Sequence, residues 1–362
     1  MLDQAGLVLP GERAAGWAGR STRAVRLWLF AVAALIFVIV IVGGATRLTE
    51  SGLSITEWKP VTGVLPPLSG AGWRAAFDSY KQIPQYAALN PDMTLDGFKA
   101  IYAWEWGHRL LARLIGLAFI LPALWFWRRG ALAGALGRQV LVATALLALE
   151  PIVGWWMVSS GLANRIEVAQ DRLALHLLIA AATFAALIYA AVGLGPPRRT
   201  RIGSGFTAGF AASAAALAAL IFIQLGLGAL VAGLRAGFTD NTWPLMSGRW
   251  LPEGVFGLTP WPASIVDDVT TAQFDHRFVA YLVVLFALAQ AYAAWRRAPG
   301  SALARRAGAL AALALAQAGI GIATLLFVVP IGLARAHQAM ALLLLGAAVA
   351  HWRATGLERA GR

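Results

Sequence analysis

The chain has 362 residues, of which 59% are hydrophobic and 13% are charged, about half the charged share of a soluble domain. This composition excludes an ordinary water-soluble globule. The absence of cysteine excludes disulfides, thiolate metal sites and iron–sulfur clusters, so any cofactor depends on histidine, carboxylate or backbone ligands. The formal charge of +13 comes from short arginine clusters between apolar runs, which indicates membrane topology rather than nucleic-acid binding.

Long apolar runs predict the transmembrane helices. Several stretches without a charged residue exceed the roughly 18 residues that span a bilayer. The first run follows four arginines, is too long for a signal-peptide core and has no convincing cleavage site, so we interpret it as a retained helix. The sequence therefore predicts an all-α membrane protein with eight transmembrane helices, at residues 27–46, 100–127, 138–158, 173–194, 206–232, 274–295, 304–329 and 334–352.

The distribution of basic residues predicts the orientation of these helices. With a cytoplasmic N-terminus, the segments on that side hold 17 basic and three acidic residues, whereas the opposite side holds 10 basic and 12 acidic ones. Cytoplasmic segments are enriched in Lys and Arg, so both termini are predicted to be cytoplasmic. The long segments 47–99 and 233–273 are then predicted to fold over the outer face.

The eight helices are predicted to form two pseudo-repeated four-helix bundles. His108-Arg109 and His276-Arg277 begin the second and sixth predicted helices with similar local sequences. His176 and His337 stand in the same way near the start of the fourth and eighth helices. The predicted organisation is a cytoplasmic N-terminal segment 1–26, a first half 27–197 and a second half 198–362.

Four histidines, His108, His176, His276 and His337, fall within about two turns of the outer ends of their predicted helices. Neutral imidazole is a good axial ligand of haem iron, so two histidines per half predict two haem sites toward the outer side. A zinc or copper site would require histidines of different halves to converge, and interhelical hydrogen bonds are the structural alternative. The fifth histidine, His351, is predicted to be interfacial.

The two halves differ beside their first histidine. Glu105 lies three residues before His108 and shares its helix face. A carboxyl group near the end of an apolar helix must be solvated, paired or used for proton transfer. The second half has Ala272 or Gln273 at this place and therefore no carboxylate. The first half is predicted to catalyse a reaction and the second to transfer electrons.

Four further ionisable residues lie within the predicted helices. Arg109 and Arg277 each follow a histidine and suit either a haem propionate or the lipid headgroups. Arg113 is one turn deeper, so we expect it to have a buried partner. Glu150 is either structural or part of a proton path.

These motifs resemble the haem A synthase family, membrane enzymes that convert haem O to haem A for cytochrome oxidase. The resemblance extends over all eight predicted helices. It is carried by residues 43–49, 51–54, 58–67, 105–109, 154–158, 160–162, 175–176, 274–277 and 337–338.

The resemblance implies that His108 and His176 surround the substrate haem iron, that His276 and His337 ligate a permanent haem b, and that Glu105 is catalytic. It implies oxidation of one methyl group of haem O to a formyl group, by two successive hydroxylations and loss of water from a geminal diol. It also implies a bacterial inner membrane protein with its haem sites toward the periplasm. Beside the lipid bilayer, the expected partners are an unidentified electron donor, haem O synthase, cytochrome oxidase assembly factors and a second copy of the chain.

The sequence departs from the family pattern at two places. Some members carry a cysteine pair in an outer loop, whereas this chain has no cysteine. The family often has Gln-Gly where this chain has Glu150-Pro151 in the third predicted helix. This second departure affects the geometry of that helix and any local proton path.

Two other functions remain open on the sequence. A di-haem b-type cytochrome for quinol-linked electron transfer would use the same four histidines without needing Glu105. A transporter is a third interpretation, because repeated bundles with central polar residues are typical of transporters. The polar residues here lie toward one face rather than at the midplane, which argues against it.

Overall fold

The computed structural model describes the backbone of residues 10–195 and 204–360, and the side chains within nearly all of these ranges. The described residues form eleven α-helices and no strand. The helices are α1 (Pro10–Leu48), α2 (Gly70–Tyr80), α3 (Pro84–Leu89), α4 (Leu95–Arg128), α5 (Gly134–Gly161), α6 (Gln170–Gly193), α7 (Ser204–Gly233), α8 (Pro262–Asp267), α9 (Val269–Arg297), α10 (Ala302–Leu326) and α11 (Ile331–Ala360).

Within the described residues, eight helices are long and apolar enough to cross a membrane: α1, α4, α5, α6, α7, α9, α10 and α11. The prediction of an all-α protein with eight transmembrane helices is confirmed. Several helices extend beyond their apolar runs, because hydrophobicity marks only the part of a helix that suits lipid. For example, α4 begins at Leu95, where the Thr94 hydroxyl caps it by accepting the Gly97 N–H.

Helix α6 contacts α1, α5, α7 and α11, whereas α4 packs on α1, α9 on α7 and α10 on α11. Fully buried leucines occupy this core, among them Leu29, Leu187, Leu217 and Leu345. The two predicted halves meet along α1, α6, α7 and α11. Their predicted boundary at 197/198 lies outside the described residues, as do residues 1–9 of the predicted N-terminal segment, whose remaining backbone is part of α1.

The long loop between α1 and α4 is folded onto the start of α4. Its helix α2 contributes Phe77 and Tyr80, whose rings pack on Phe98 with centres 4.9 Å and 5.5 Å away. Leu53 and Ile83 complete this small aromatic core. The end of the bundle covered by this loop is called the loop end below.

The perimeter of the bundle exposes large apolar side chains. Leu121 of α4, Leu141 and Ile152 of α5 and Leu285 of α9 are all exposed. A contiguous apolar surface of this kind is stable in lipid and costly in water. It therefore identifies the lipid-facing side of these helices.

Candidate functional site

Each of four histidine rings lies against a glycine of the preceding transmembrane helix. The approach is so close that a Cβ atom added to the glycine would crowd the ring, so any larger residue would force it to move. The distance from such a Cβ to the nearest ring atom is 3.2 Å for Gly43 and His108, 3.1 Å for Gly154 and His176, 3.0 Å for Gly228 and His276, and 2.6 Å for Gly321 and His337.

Three of these glycines follow a polar residue that contacts the same histidine. Because the residue four positions earlier lies on the same helix face, its side chain reaches the ring that packs on the glycine. Glu150 Oε2 lies 2.6 Å from His176 Nδ1, Gln224 Nε2 lies 3.0 Å from His276 Nδ1, and Gln317 Nε2 lies 3.5 Å from His337 Nε2. The recurring Glu/Gln-x-x-x-Gly pattern is visible in the sequence and would have revealed these partners.

The second-half histidines form a close pair. The His276 and His337 ring centres are 6.2 Å apart and their planes are inclined by 79°. Two imidazoles on opposite sides of one metal ion have centres roughly 6 Å apart, since each metal–nitrogen bond is about 2 Å and each nitrogen lies about 1 Å from its ring centre. The separation would therefore allow both imidazoles to hold one metal ion between them.

The first-half histidines are arranged differently. Within the described ranges no ring contact joins His108 to His176, and no cluster of three or more His, Asp or Glu side chains suits a metal ion. A shared zinc or copper site gains no support from this arrangement. The first half thus offers two imidazoles that are not in ring contact. A groove of about 430 Å³ between α1 and α4 is lined by apolar residues and by Gly107, and neither histidine is among its lining residues.

Glu105 is buried, with 4% of its surface exposed, and both of its carboxylate oxygens are bonded. Oε2 accepts the Ser54 hydroxyl at 2.8 Å and the Ile55 N–H at 2.7 Å. Oε1 accepts from Arg109 at 2.6 Å. The carboxylate is therefore fixed in position by the loop after α1 and by a cation one turn later on α4.

Gln273 takes the place of Glu105 in the second half. Its amide nitrogen donates to the carbonyls of Ala236 and Asp240, and its oxygen accepts from Arg277. The sequence left Ala272 and Gln273 as alternatives, and these contacts identify Gln273 as the counterpart. The same helix-to-loop connection thus uses a charged group in one half and a neutral one in the other.

The arginines beside the histidines bind the loop backbone. Arg109 donates to the carbonyls of Ile55 and Glu57 at 2.9 Å and 3.0 Å. Arg277 donates to those of Asp240 and Thr242 at 2.6 Å and 2.8 Å. Neither guanidinium needs the lipid headgroups for these bonds, and the predicted propionate contacts stay a prediction.

Arg113 has a partner, but it is exposed rather than buried as the sequence led us to expect. Its guanidinium donates to the carbonyls of Pro60 and Lys59 at 2.8 Å and 2.9 Å. The partner is therefore the backbone of the loop after α1 rather than a buried acid.

The prediction for His351 was wrong. This residue is only 2% exposed and its ring packs edge-on against Phe210, with centres 5.7 Å apart. The neighbouring Trp352 and Arg353 suggested a position at the membrane interface. However, α7 packs along α11 and buries His351.

An ion-pair network connects the two halves at the loop end. Arg47, at the end of α1, lies 2.5 Å from Glu167, and Arg235, just after α7, contacts both Glu167 and Glu50. The hydrogen bond from Arg235 to Glu50 raises the pKa of the guanidinium, and Glu167 acts in the same direction. This network could not be predicted from the sequence because it depends on how three loops meet.

The family assignment rests on most of the chain. Residues 26–349 match the model of a family described as cytochrome oxidase assembly protein, COX15-CtaA. The chain belongs to this family. The matched residues include Glu105 and the four histidines that pack on glycines.

Similar full-length proteins support the assignment to COX15-CtaA. The chain is 51% identical over 351 residues to the Heme A synthase of Beijerinckia indica subsp. indica, covering 96% of this chain and 98% of that protein. It is 52% identical to the Heme A synthase of Rhodopseudomonas palustris strain BisA53, covering 93% and 91% of the two chains. The Heme A synthase of Parvibaculum lavamentivorans is 48% identical, covering 95% and 98%.

Proposed function

We infer that this chain is a haem A synthase, a multi-pass membrane oxidoreductase that converts haem O to haem A. This inference rests on a sequence identity of about 50% between this chain and bacterial Heme A synthases, over nearly the whole length of both chains. The site geometry supports it, because four imidazoles are placed on four transmembrane helices. Helical bundles commonly hold haem through such side chains.

We assign His276 and His337 to a resident haem b. Their separation of 6.2 Å supports this role, and the Gln224 amide contacts His276 at Nδ1. That contact occupies Nδ1 and fixes the orientation of the ring. Iron would bind at Nε2 with the ring proton on Nδ1, which the amide oxygen of Gln224 would then accept. When bound, this haem would supply electron transfer to the first half.

We assign His108 and His176 to the substrate haem. The Glu105 carboxylate lies one turn before His108 on α4 and is held there by Ser54, Ile55 and Arg109. A carboxylate fixed in this way can hold or pass a proton at Oε1 or Oε2 beside the methyl group that is oxidised. Glu105 is the catalytic residue in this assignment.

We propose that Arg109 and Arg277 bind haem propionates. They would use the guanidinium N–H groups that do not already donate to loop carbonyls. The Arg277 Nε is buried and has no hydrogen-bond partner among the described residues, so it is one such donor. Guanidinium groups suit carboxylates because their N–H groups form a planar fork.

The proposed location is the bacterial inner membrane, with the loop end and both haem sites toward the periplasm. The excess of basic residues at the opposite end supports this orientation. An electron donor, haem O synthase, assembly factors of cytochrome oxidase and a second copy of the chain are the partners that this function would use.

The test is extraction and chromatography of the haems in the purified protein, expressed with and without a co-expressed haem O synthase. We expect haem b in both preparations and haem A only when haem O is supplied. Haem b alone, with haem O left unconverted under aerobic conditions and with a reductant present, would instead indicate an electron-transfer cytochrome. A protein that binds no haem in either preparation would contradict both functions and favour a transporter.

A further inference from the structure

Three of the four histidines share one arrangement, and the fourth departs from it. His176, His276 and His337 each contact a polar side chain that lies one turn before the glycine under the ring. His108 packs on Gly43, and the residue four positions earlier on α1 is Ile39. Among the described residues His108 has no hydrogen bond from its ring. The side chain of His108 is therefore held by packing alone.

The polar partner of His176 differs chemically from the other two. Gln224 and Gln317 are neutral amides, whereas Glu150 is a carboxyl group in contact with Nδ1 of His176. The side chain of Glu150 is 17% exposed, and its contact with His176 is an ion-pair distance rather than an aligned hydrogen bond. Glu150 Oε1 and His176 Nδ1 are both buried with no hydrogen-bond partner among the described residues. A carboxyl group placed so deep in an apolar helix is costly unless it has a function.

A carboxylate on the far nitrogen of a histidine fixes the tautomer and the orientation of the ring, and it makes the other nitrogen a stronger donor to iron. An amide partner orients the ring without adding charge. In the first half, one imidazole has a carboxyl group beside Nδ1 and the other has no polar side-chain partner. In the second half, both imidazoles have a neutral amide partner, at Nδ1 of His276 and at Nε2 of His337.

We propose that Glu150 is a positioning residue that makes His176 the fixed ligand of the substrate haem iron and leaves His108 as the exchangeable one. This inference rests on the proposed function, since it assumes a haem between these residues. His108 lies on the helix face of Glu105, so the exchangeable side of the haem is also the side that carries the catalytic carboxylate. An oxidation that needs access to the iron requires one such open side.

A merely structural role is the alternative for Glu150. An intramembrane carboxyl–imidazole contact can serve only to join α5 to α6, as interhelical hydrogen bonds do. In that case its charge would have no effect on the haem. The two roles therefore differ in a property of the iron rather than in protein stability.

The first experiment measures the midpoint potential of the first-half haem in protein loaded with haem A, whose formyl-bearing ring absorbs at longer wavelength than haem b. Glu150→Gln keeps the shape of the side chain and copies the residue type found beside His276 and His337. Removing the negative charge destabilises the ferric state, so we expect the potential of the first-half haem to rise while that of haem b stays unchanged. The reciprocal control, Gln224→Glu, should lower the potential of haem b alone.

The second experiment compares His108→Gly with His176→Gly in the presence of free imidazole. We expect His108→Gly to retain the first-half haem and to recover a six-coordinate spectrum with imidazole. We expect His176→Gly and Glu150→Leu to bind this haem about 10- to 100-fold more weakly than the wild type does. The first variant lacks the anchored ligand, and the second lacks the side chain that supports it. Detergent-solubilised variants that elute as single species and retain haem b serve as the folding control.

The outcomes distinguish a failure of this inference from a failure of the proposed function. An unchanged first-half potential in Glu150→Gln, or retention of the haem by His176→Gly and loss by His108→Gly, would overturn this inference while leaving the synthase function intact. A wild-type protein that never acquires haem O or haem A would overturn the proposed function and this inference with it.

Discussion

Gly321 of α10 lies so close to the His337 ring that an added Cβ atom would come within 2.6 Å of Cε1. We expect Gly321→Ala to displace the ring, to cost about 1–3 kcal/mol of stability and to lower the haem b content of the purified protein. Gly319→Ala is the matched control on the same helix, because nothing lies within 4 Å of the position that its Cβ would occupy. Haem b per mole of protein, measured as the pyridine haemochrome, should fall only in Gly321→Ala, and equal content in both variants would speak against the role of this contact.

Glu105 carries a second prediction. Glu105→Ala removes the acceptor of three hydrogen bonds. Glu105→Gln keeps the shape of the side chain but removes its charge and replaces one accepting oxygen by an N–H donor. We expect both variants to retain haem b, which is held by other helices, and to form haem A about 10²- to 10⁴-fold more slowly. The measurement is the haem A to haem O ratio after extraction.

The control for Glu105 is Asp96→Asn, which removes an exposed carboxylate from the first turn of the same helix, where it pairs with Lys99. This variant should make haem A at the wild-type rate. Normal haem A output from Glu105→Gln would show that its carboxylate is only a structural partner of Arg109.

The close pair in the second half leads to a third prediction. His276→Ala or His337→Ala removes one of two rings whose centres are 6.2 Å apart, so haem b should be lost or strongly reduced. His108→Ala should leave haem b in place, because its ring belongs to the other half. Reduced-minus-oxidised spectra together with haem extraction distinguish these cases, and loss of haem b from His108→Ala alone would reverse the assignment of the two halves.

The ion-pair network at the loop end is expected to contribute to stability. Glu167 is largely buried and contacts both Arg47 and Arg235, so Glu167→Gln leaves two cations without their shared partner. We expect a loss of about 1–3 kcal/mol, below the value for a fully buried pair because Arg235 is about half exposed. The measurement is the thermal midpoint in a fixed detergent.

Glu253→Gln is the matched control for this network, because the Arg249–Glu253 pair is exposed on both sides. It should change the stability by less than about 0.5 kcal/mol. Equal midpoints for the two variants would indicate that the network contributes nothing measurable.

The eight transmembrane helices could be predicted from the sequence because each apolar run is long enough to span a bilayer. Their ends could not, since capping residues such as Thr94 lie in polar segments that hydropathy ignores. The matched positions of His108 and His276 were also visible, because the repeat preserves the local sequence around them. The orientation of the termini stays a prediction, resting on the distribution of basic residues.

The contacts of the site were harder to foresee. Glu150 and His176 are on neighbouring helices whose rotation about their axes is set by packing, and hydropathy does not report that rotation. The same limitation explains the error for His351, which its polar neighbours suggested would be interfacial although α7 buries it. The small residues under the rings were the overlooked signal, since Gly154, Gly228 and Gly321 fix which helix face approaches each histidine.

Leucine and isoleucine side chains are exposed on α4, α5 and α9. The measured stability of the protein therefore depends on the lipid or detergent that surrounds it. Side chains such as Leu141 and Ile152 are stabilised by whatever hydrocarbon covers them, so lipid or detergent acts as a ligand of the native state. A midpoint measured in one micelle is therefore a property of that mixture. Comparisons between variants are meaningful only at a constant ratio of amphiphile to protein.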